Sequence, residues 1–295
     1  MGNIELLAAL LALMANFLWG TDQILGKIAL RDLDVLTLNA IRPSFALIFI
    51  IPYALLNKGT FNIGPDLLFF GALAGIFAEF IGVQIFFYIM NRSEAHMVIP
   101  ISNTNMFWSI ILAIIFLGEK PSLFVLLSAI LIFVGIFFSV SREGTISFSR
   151  WKMVILSLFV SFMWGASLLL TKYCLGNGMP QSLLQTLRIG AAAIACDCLA
   201  IFNHHRQKYN FKYNFKNNGV KISLISSFFG FGLGFFFFLY ALNIETASAI
   251  APFCGGKIFF GYILGILLLK EKPTKKSILG TLMIILGILV ITIGG

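Results

Sequence analysis

The chain has 295 residues, of which 59% are apolar and 11% charged, with a formal net charge of +9 and a mean hydropathy of +0.95. Soluble domains run about half apolar and a quarter charged, so a water-soluble globular protein is excluded. The long Phe- and Ile-rich runs broken by Gly also exclude the alternating segments of about ten residues that build an outer-membrane barrel.

What remains is an all-α integral membrane protein. A span needs about 20 apolar residues, and the sequence predicts ten transmembrane helices: 4–28, 34–56, 66–89, 95–117, 122–140, 151–174, 181–203, 219–242, 247–269 and 275–293. The first is read as a mature span, because it is too long for a signal peptide, lacks a basic start and carries Asp22 and Lys27 where cleavage would fall. Cys174, Cys196, Cys198 and Cys254 lie in or beside apolar segments without zinc-ligand spacing. Neither a disulfide framework, a metal site nor a cofactor is expected.

Cytoplasmic loops concentrate Lys and Arg. Of the 21 Lys and Arg, sixteen fall on the side opposite the termini, and Lys58, Lys120, Lys172 and Arg188 fall on the terminal side. This predicts a multi-pass cell-membrane protein with both termini outside and the loops around 141–151, 204–218 and 270–276 in the cytoplasm. The positive charge then needs no nucleic acid. The basic 204–221 loop, with Tyr209, Phe211, Tyr213 and Phe215, is expected against anionic lipid headgroups.

A shift of 152 lays Gly82, Phe86, Tyr88, Asn91, Ala95 and Pro100 on Gly234, Phe238, Tyr240, Asn243, Ala247 and Pro252, and Glu119, Lys120 and Pro121 on Glu271, Lys272 and Pro273. A shift of 145 or 146 lays Trp19 and Gly20 on Trp164 and Gly165, Lys27 on Lys172, and Arg42 on Arg188. The chain therefore reads as two five-helix units, 1–145 and 146–295. Five is odd, so the second unit enters the membrane from the opposite face as an inverted repeat, an arrangement characteristic of secondary transporters with a midplane site at the repeat interface.

The Trp-Gly pairs of helices 1 and 6, the Arg early in helices 2 and 7, the Pro entering helices 4 and 9, and the Glu-Lys-Pro turns at 119–121 and 271–273 together resemble an EamA-type member of the drug/metabolite transporter superfamily. The resemblance covers essentially the whole chain. It implies ten helices, a central cavity lined by helices 1, 3, 4, 6, 8 and 9, and transport of a small metabolite.

Ionised groups at the bilayer centre cost about 3 kcal/mol on insertion scales and should face a cavity or a partner. Lys257 sits about halfway along helix 9 with Gly261 and Gly265 on the same face, and its repeat counterpart is the neutral Asn105 of helix 4; it is the leading candidate to hold an anionic substrate group. Glu79 lies midway along helix 3 with Gly75 and Gly71 preceding it. It either couples transport to protons, as burial raises a carboxylate pKa, or neutralises Lys257, and the two roles are compatible. Asn16, Trp19, Gln23 and Lys27 form one stripe on helix 1 with Asp22 beside it. Trp19, Trp164, Tyr88 and Tyr240 are candidate cavity walls, joined by Gln23 and Gln84. Asn39 with Arg42, and Gln185 with Arg188, repeat a polar pair that fits headgroups or a facing carboxylate such as Asp22. Glu119 and Glu271 read as turn residues, His96, His204 and His205 give no sign of being ligands, and Asp197 has no assigned role.

The expectation is a secondary active transporter, not an enzyme, moving a small polar metabolite such as an amino acid or related zwitterion with an apolar part. Carriers of phosphorylated or nucleotide-linked sugars and lipid flippases are the alternatives. The expected partners are the small-molecule substrate, membrane lipid and protons, and a homodimer is compatible with the sequence.

Overall fold

A computed structural model describes residues 3–56, 63–117, 123–140, 148–207, 217–244 and 256–294. Every regular element among them is helical: α1 (Asn3–Ala29), α2 (Val35–Leu56), α3 (Pro65–Gly75), α4 (Val83–Met90), α5 (Ala95–Ser102), α6 (Asn105–Leu117), α7 (Leu123–Val140), α8 (Phe148–Gly176), α9 (Gln181–Gln207), α10 (Asn218–Ser227), α11 (Phe235–Ile244), α12 (Gly256–Leu269) and α13 (Lys275–Gly294).

Helix starts follow from the sequence. The Asp34 carboxylate accepts from the backbone N–H of Leu36 and Thr37 at the start of α2, Asn217 accepts from Gly219 N–H before α10, and Pro65 occupies the first turn of α3, where its missing N–H is not needed. Among the described residues, seven helices are long and apolar enough to cross a membrane: Leu7–Ala29, Val35–Leu56, Pro65–Met90, Ala95–Phe116, Trp151–Gly176, Gln181–Asn203 and Asn218–Phe238. The expected spans 122–140 and 275–293 fall on helices α7 and α13, and of the expected span 247–269 residues 256–269 form the shorter apolar helix α12 while 247–255 lie outside the described residues. Exposed Ile48, Phe69, Phe116, Ile130, Phe137 and Ile194 give the bundle an apolar exterior, as a lipid solvent demands.

Two departures from uniform spans shape the interior. The helix from Pro65 to Met90 widens to a π-helical turn at Ile76–Gly82, and the helix from Asn218 to Ile244 does the same at Phe228–Gly234. Such insertions are rare and cluster at functional sites. The expected span 95–117 is interrupted at Asn103 and Thr104, where Asn103 Nδ2 donates to Ile99 O at 2.9 Å. A polar side chain competing with the helical ladder ends α5 there.

The packing recurs pair by pair. α1 lies against α12 and against α10–α11, α8 lies against α6 and α3–α4, α2 runs along α9, and α7 runs along α13. A Cβ on Gly20 would meet Gly261 N at 2.8 Å and the Phe260 side chain at 3.1 Å, while one on Gly165 would meet Trp108 at 2.6 Å and Ser109 N at 3.0 Å. Each of these neighbours of Gly20 stands 152 residues beyond a neighbour of Gly165.

The direction of α1 and α8 can be read against the continuous helix Pro65–Met90. Near its C-terminal end, Phe87 presses on Gly26 and Lys27 Nζ donates to Ser93 O at 2.7 Å. Near its N-terminal end, Cys174 Sγ contacts Leu67 O at 3.7 Å. The C-terminal ends of α1 and α8 therefore lie at opposite ends of the bundle.

Candidate functional site

A cavity of about 250 Å³ lies in the middle of the bundle, with walls from both halves of the chain. The two Trp residues form part of these walls because each indole is anchored on a π-helical turn. Trp19 Nε1 donates to Gly230 O at 3.0 Å and Trp164 Nε1 donates to Ala78 O at 3.2 Å. Gly234 and Gly82 leave room for the rings, since a Cβ there would come within 2.9 Å and 2.7 Å of the respective Nε1 atoms. Phe238 packs on Trp19 at 5.2 Å between centroids, and Phe86 packs on Trp164 at 5.4 Å.

Lys257 and Asn105 face the same cavity and meet each other, with Nζ donating to Asn105 Oδ1 at 3.3 Å and standing 5.6 Å from the Trp164 ring centroid. Gln23 Nε2 donates to Asn103 Oδ1 at 3.4 Å, and this pair also lines the cavity. Glu79, buried on the π-helical turn of the third span, takes Arg188 Nη2 at 2.6 Å. Of the two roles read for Glu79, the pairing with Lys257 gives way to one with Arg188: the α9 guanidinium meets the carboxylate although it is 109 residues away in sequence.

Arg42 makes the corresponding bond in the first half. Its Nη2 donates to both Asp22 carboxylate oxygens at 2.6 Å, and the guanidinium lies between the rings of Phe87 at 4.7 Å and Phe231 at 5.1 Å. Ser226 also donates to Asp22. The facing carboxylate expected for Arg42 is thus present, but both Arg residues line the cavity, which the sequence reading did not assign them. Their signal was the repeated polar pair with Asn39 and Gln185. Phe231, Asn103 and Ser167 were also missed as lining residues, although Phe231 occupies the repeat position of Glu79.

Of the nine residues singled out from the sequence, Trp19, Gln23, Glu79, Asn105, Trp164 and Lys257 line the cavity. Gln84, Tyr88 and Tyr240 do not. Gln84 is used between helices, accepting from Asn39 Nδ2 at 2.9 Å and contacting Cys196 Sγ at 3.8 Å. Tyr88 lies beneath the Arg92 guanidinium, 3.8 Å from the ring centroid. Tyr240 is 51% exposed and stacks on Phe236, because the position points away from the bundle axis. Asp197 accepts from Ser44 Oγ at 3.0 Å.

Among the described residues lining the cavity are three cations, Lys257, Arg42 and Arg188, and two carboxylates, Asp22 and Glu79. The rest of the described lining mixes aromatic rings, among them Trp19, Trp164, Phe231 and Phe235, with polar side chains such as Asn16, Ser167 and Gln185 and a few aliphatic ones. Such a lining can hold an anionic group beside an apolar one. No set of three or more His, Cys, Asp or Glu among the described residues could hold a metal ion.

A protein described as an uncharacterized transporter of Archaeoglobus fulgidus is 23% identical over 289 residues, covering 97% of this chain and 98% of its own length. A second uncharacterized transporter of the same organism is 27% identical over 141 residues, 45% of this chain and 47% of its own length. A crystal structure carrying no functional description superposes with a TM-score of 0.66 at 11% identity, over 96% of each chain, and shows the shared fold. The profile of the EamA-like transporter family matches twice, at residues 6–141 and 151–293. The chain belongs to the EamA-like transporter family, and is a multi-pass membrane protein of transporter type.

Proposed function

We propose that the protein is a secondary active transporter that moves a small metabolite with an anionic group and an apolar part, an amino acid or related zwitterion, by alternating access through the central cavity. The observation that carries this reading is the described lining of that cavity, which brings three cations and two carboxylates together with the indoles of Trp19 and Trp164. Two of the cations already hold Asp22 and Glu79. Lys257, standing at the cavity beside Trp164 and Asn105, takes the substrate carboxylate, Trp19 and Trp164 enclose the apolar part, and Gln23 and Asn105 orient the polar end. Phosphate esters are served less well, since their sites gather several Lys or Arg not already committed to carboxylates.

Glu79 is the proposed coupling residue. A substrate amine competes with Arg188 for its carboxylate, and a proton on Glu79 releases both. The ten-span architecture with inverted units 1–145 and 146–295 is part of the same proposal. It is supported by the matched Trp, Gly and Arg contacts, the opposed directions of α1 and α8, and the two consecutive profile matches. Alternating access in this scheme exchanges the conformations of the two halves.

The test is a thermal-shift screen of purified protein against amino acids, sugar phosphates and nucleotide sugars. A ligand at about 100 times its Kd adds about 2.7 kcal/mol of stability. Stabilisation by apolar amino acids that is lost in Lys257→Met supports the reading. Stabilisation confined to phosphorylated compounds overturns the substrate class.

A further inference from the structure

A second cluster of ionisable side chains lies outside the cavity, where α1, the start of α5 and the α12–α13 turn converge. Glu271 is its centre. Its carboxylate accepts from Lys27 Nζ at 2.9 Å, from Ala95 N–H at 2.7 Å, and from His96 N–H at 2.9 Å and His96 Nδ1 at 2.8 Å. Lys27 also donates to Ser93 O, Glu94 lies 3.7 Å from His96 Nε2, and the Tyr262 ring stands edge-on to the imidazole. The Glu271 side chain is 9% exposed. Burial pushes its carboxyl up, but donation from His96 and Lys27, the Lys27 charge and the Ala95 N–H outweigh this and hold it at about 2.

The turn that delivers Glu271 is strained. Lys270 has a φ of 57°, a left-handed conformation uncommon for residues with a Cβ. Local structure is therefore sacrificed to bring the carboxylate to the first turn of α5, where N–H groups are unpaired.

The cluster stands beyond one end of the cavity. Along α12, a Cβ on Gly261 would touch Gln23 Oε1 at 3.7 Å, at the cavity, and one turn nearer the loop one on Gly265 would touch Ile24 at 3.6 Å and Glu271 Oε2 at 3.8 Å. Buried Ile99 packs at Gly261 and buried Ile24 at Gly265. Toward the other end of the bundle the lining continues through Thr171 and Leu175 to Gln181, near the end of α8 and the start of α9. Lys172, the counterpart of Lys27, is exposed there.

We propose that the Lys27–Glu271–His96 cluster is the closed gate of the transport path, so that the cavity in this conformation communicates with the Lys172 end. The gate must part before the cavity opens at the Lys27 end. This rests on the transporter reading, but its test requires no substrate. Helix capping alone requires Glu271 and the Ala95 and His96 N–H groups. The Lys27 bond instead spans two elements that the opening motion separates, and an ion pair parts and re-forms at less cost than a packed apolar seam.

The experiment uses the full chain with Cys174, Cys196, Cys198 and Cys254 replaced by Ser, and single reporter cysteines at Ile24→Cys or Leu175→Cys. The reaction rate with a water-soluble maleimide is measured in detergent, with and without Glu271→Gln or Lys27→Met. Both substitutions keep the length of the side chain, and Glu271→Gln keeps a carbonyl to cap α5. The expected result is at least tenfold faster labelling at position 24 in either variant, accompanied by slower labelling at position 175, because one gate opens as the other closes. Unchanged labelling at 24 in both variants overturns the gate. Faster labelling at both positions also overturns it, because that pattern reports general loosening from a lost structural cap.

Discussion

Trp19 and Trp164 make the same bond on opposite sides of the cavity, each indole N–H donating to a carbonyl within a π-helical turn, Gly230 O at 3.0 Å and Ala78 O at 3.2 Å. The acceptors are 152 residues apart and the donors 145. A widened turn frees the carbonyl, and the glycine that ends the turn makes room for the ring.

The first prediction follows from those glycines. Gly82→Ala and Gly234→Ala place a methyl group 2.7 Å and 2.9 Å from the indole nitrogens, and overpacking of this kind costs about 1–3 kcal/mol. Each variant should melt earlier than the parent and lose affinity for a cavity ligand. Gly190→Ala, with open space at its Cβ, should melt within about 1 kcal/mol of the parent or slightly above it. Equal behaviour of all three variants in a thermal-unfolding series would remove the wedge argument.

The second prediction concerns Glu79 and Arg188, paired at 2.6 Å. Breaking a buried pair from one side costs about 3–5 kcal/mol, so Arg188→Met should lose folded yield, and Arg188→Met with Glu79→Met should regain most of it. Glu79→Gln resembles the protonated acid and should still exchange substrate while losing accumulation driven by a pH gradient. Gradient-driven accumulation at the parental level in vesicles carrying Glu79→Gln would eliminate Glu79 as the coupling group.

Much of this site could be read in the sequence, and the failures share a cause. Trp, Gly and Arg positions recur at offsets of 145, 146 or 152, so the paired placement of Trp19 and Trp164 follows from the repeat, whereas for Arg42 the sequence offers headgroups or a carboxylate such as Asp22 and the structure gives Asp22. Spacing does not say which cation a buried carboxylate meets across the bundle: it leaves Lys257 as one candidate partner for Glu79, and the structure gives Arg188. Nor does it say which way a residue on a π-widened helix points. One extra residue per turn rotates everything beyond it, which is why Tyr88 and Tyr240 leave the cavity. Glu271 looked like a turn residue because its four donors come from segments far away in the chain.

A third prediction uses pH. The Glu271 carboxyl is held at about 2 against an ordinary value of 4.5. A depressed acid stabilises the fold fully above its unfolded value, and the contribution fades as pH falls through the interval toward the folded value. The melting difference between the parent and Glu271→Gln should therefore be constant from neutrality to about pH 5 and shrink between 4.5 and about 2. A difference that instead grows on acidification would contradict the assignment.

The fourth prediction is topological. The excess of Lys and Arg in loops opposite the termini predicts that both termini lie outside. A reporter after Gly295 should be reached in intact cells, and a cysteine replacing Lys212 should react only after permeabilisation. Labelling of the C-terminus from the cytoplasm alone would reverse the orientation while leaving the cavity as described.

The most direct test of the transport reading is counterflow in proteoliposomes loaded with a single unlabelled compound and supplied with trace label outside. Apolar amino acids should exchange, Lys257→Met should reduce the rate at least tenfold because a charge-assisted hydrogen bond is worth about 1.5–3 kcal/mol, and the variant should remain folded. Exchange of sugar phosphates or scrambling of labelled phospholipid with no amino-acid counterflow, or full exchange by Lys257→Met, would contradict it.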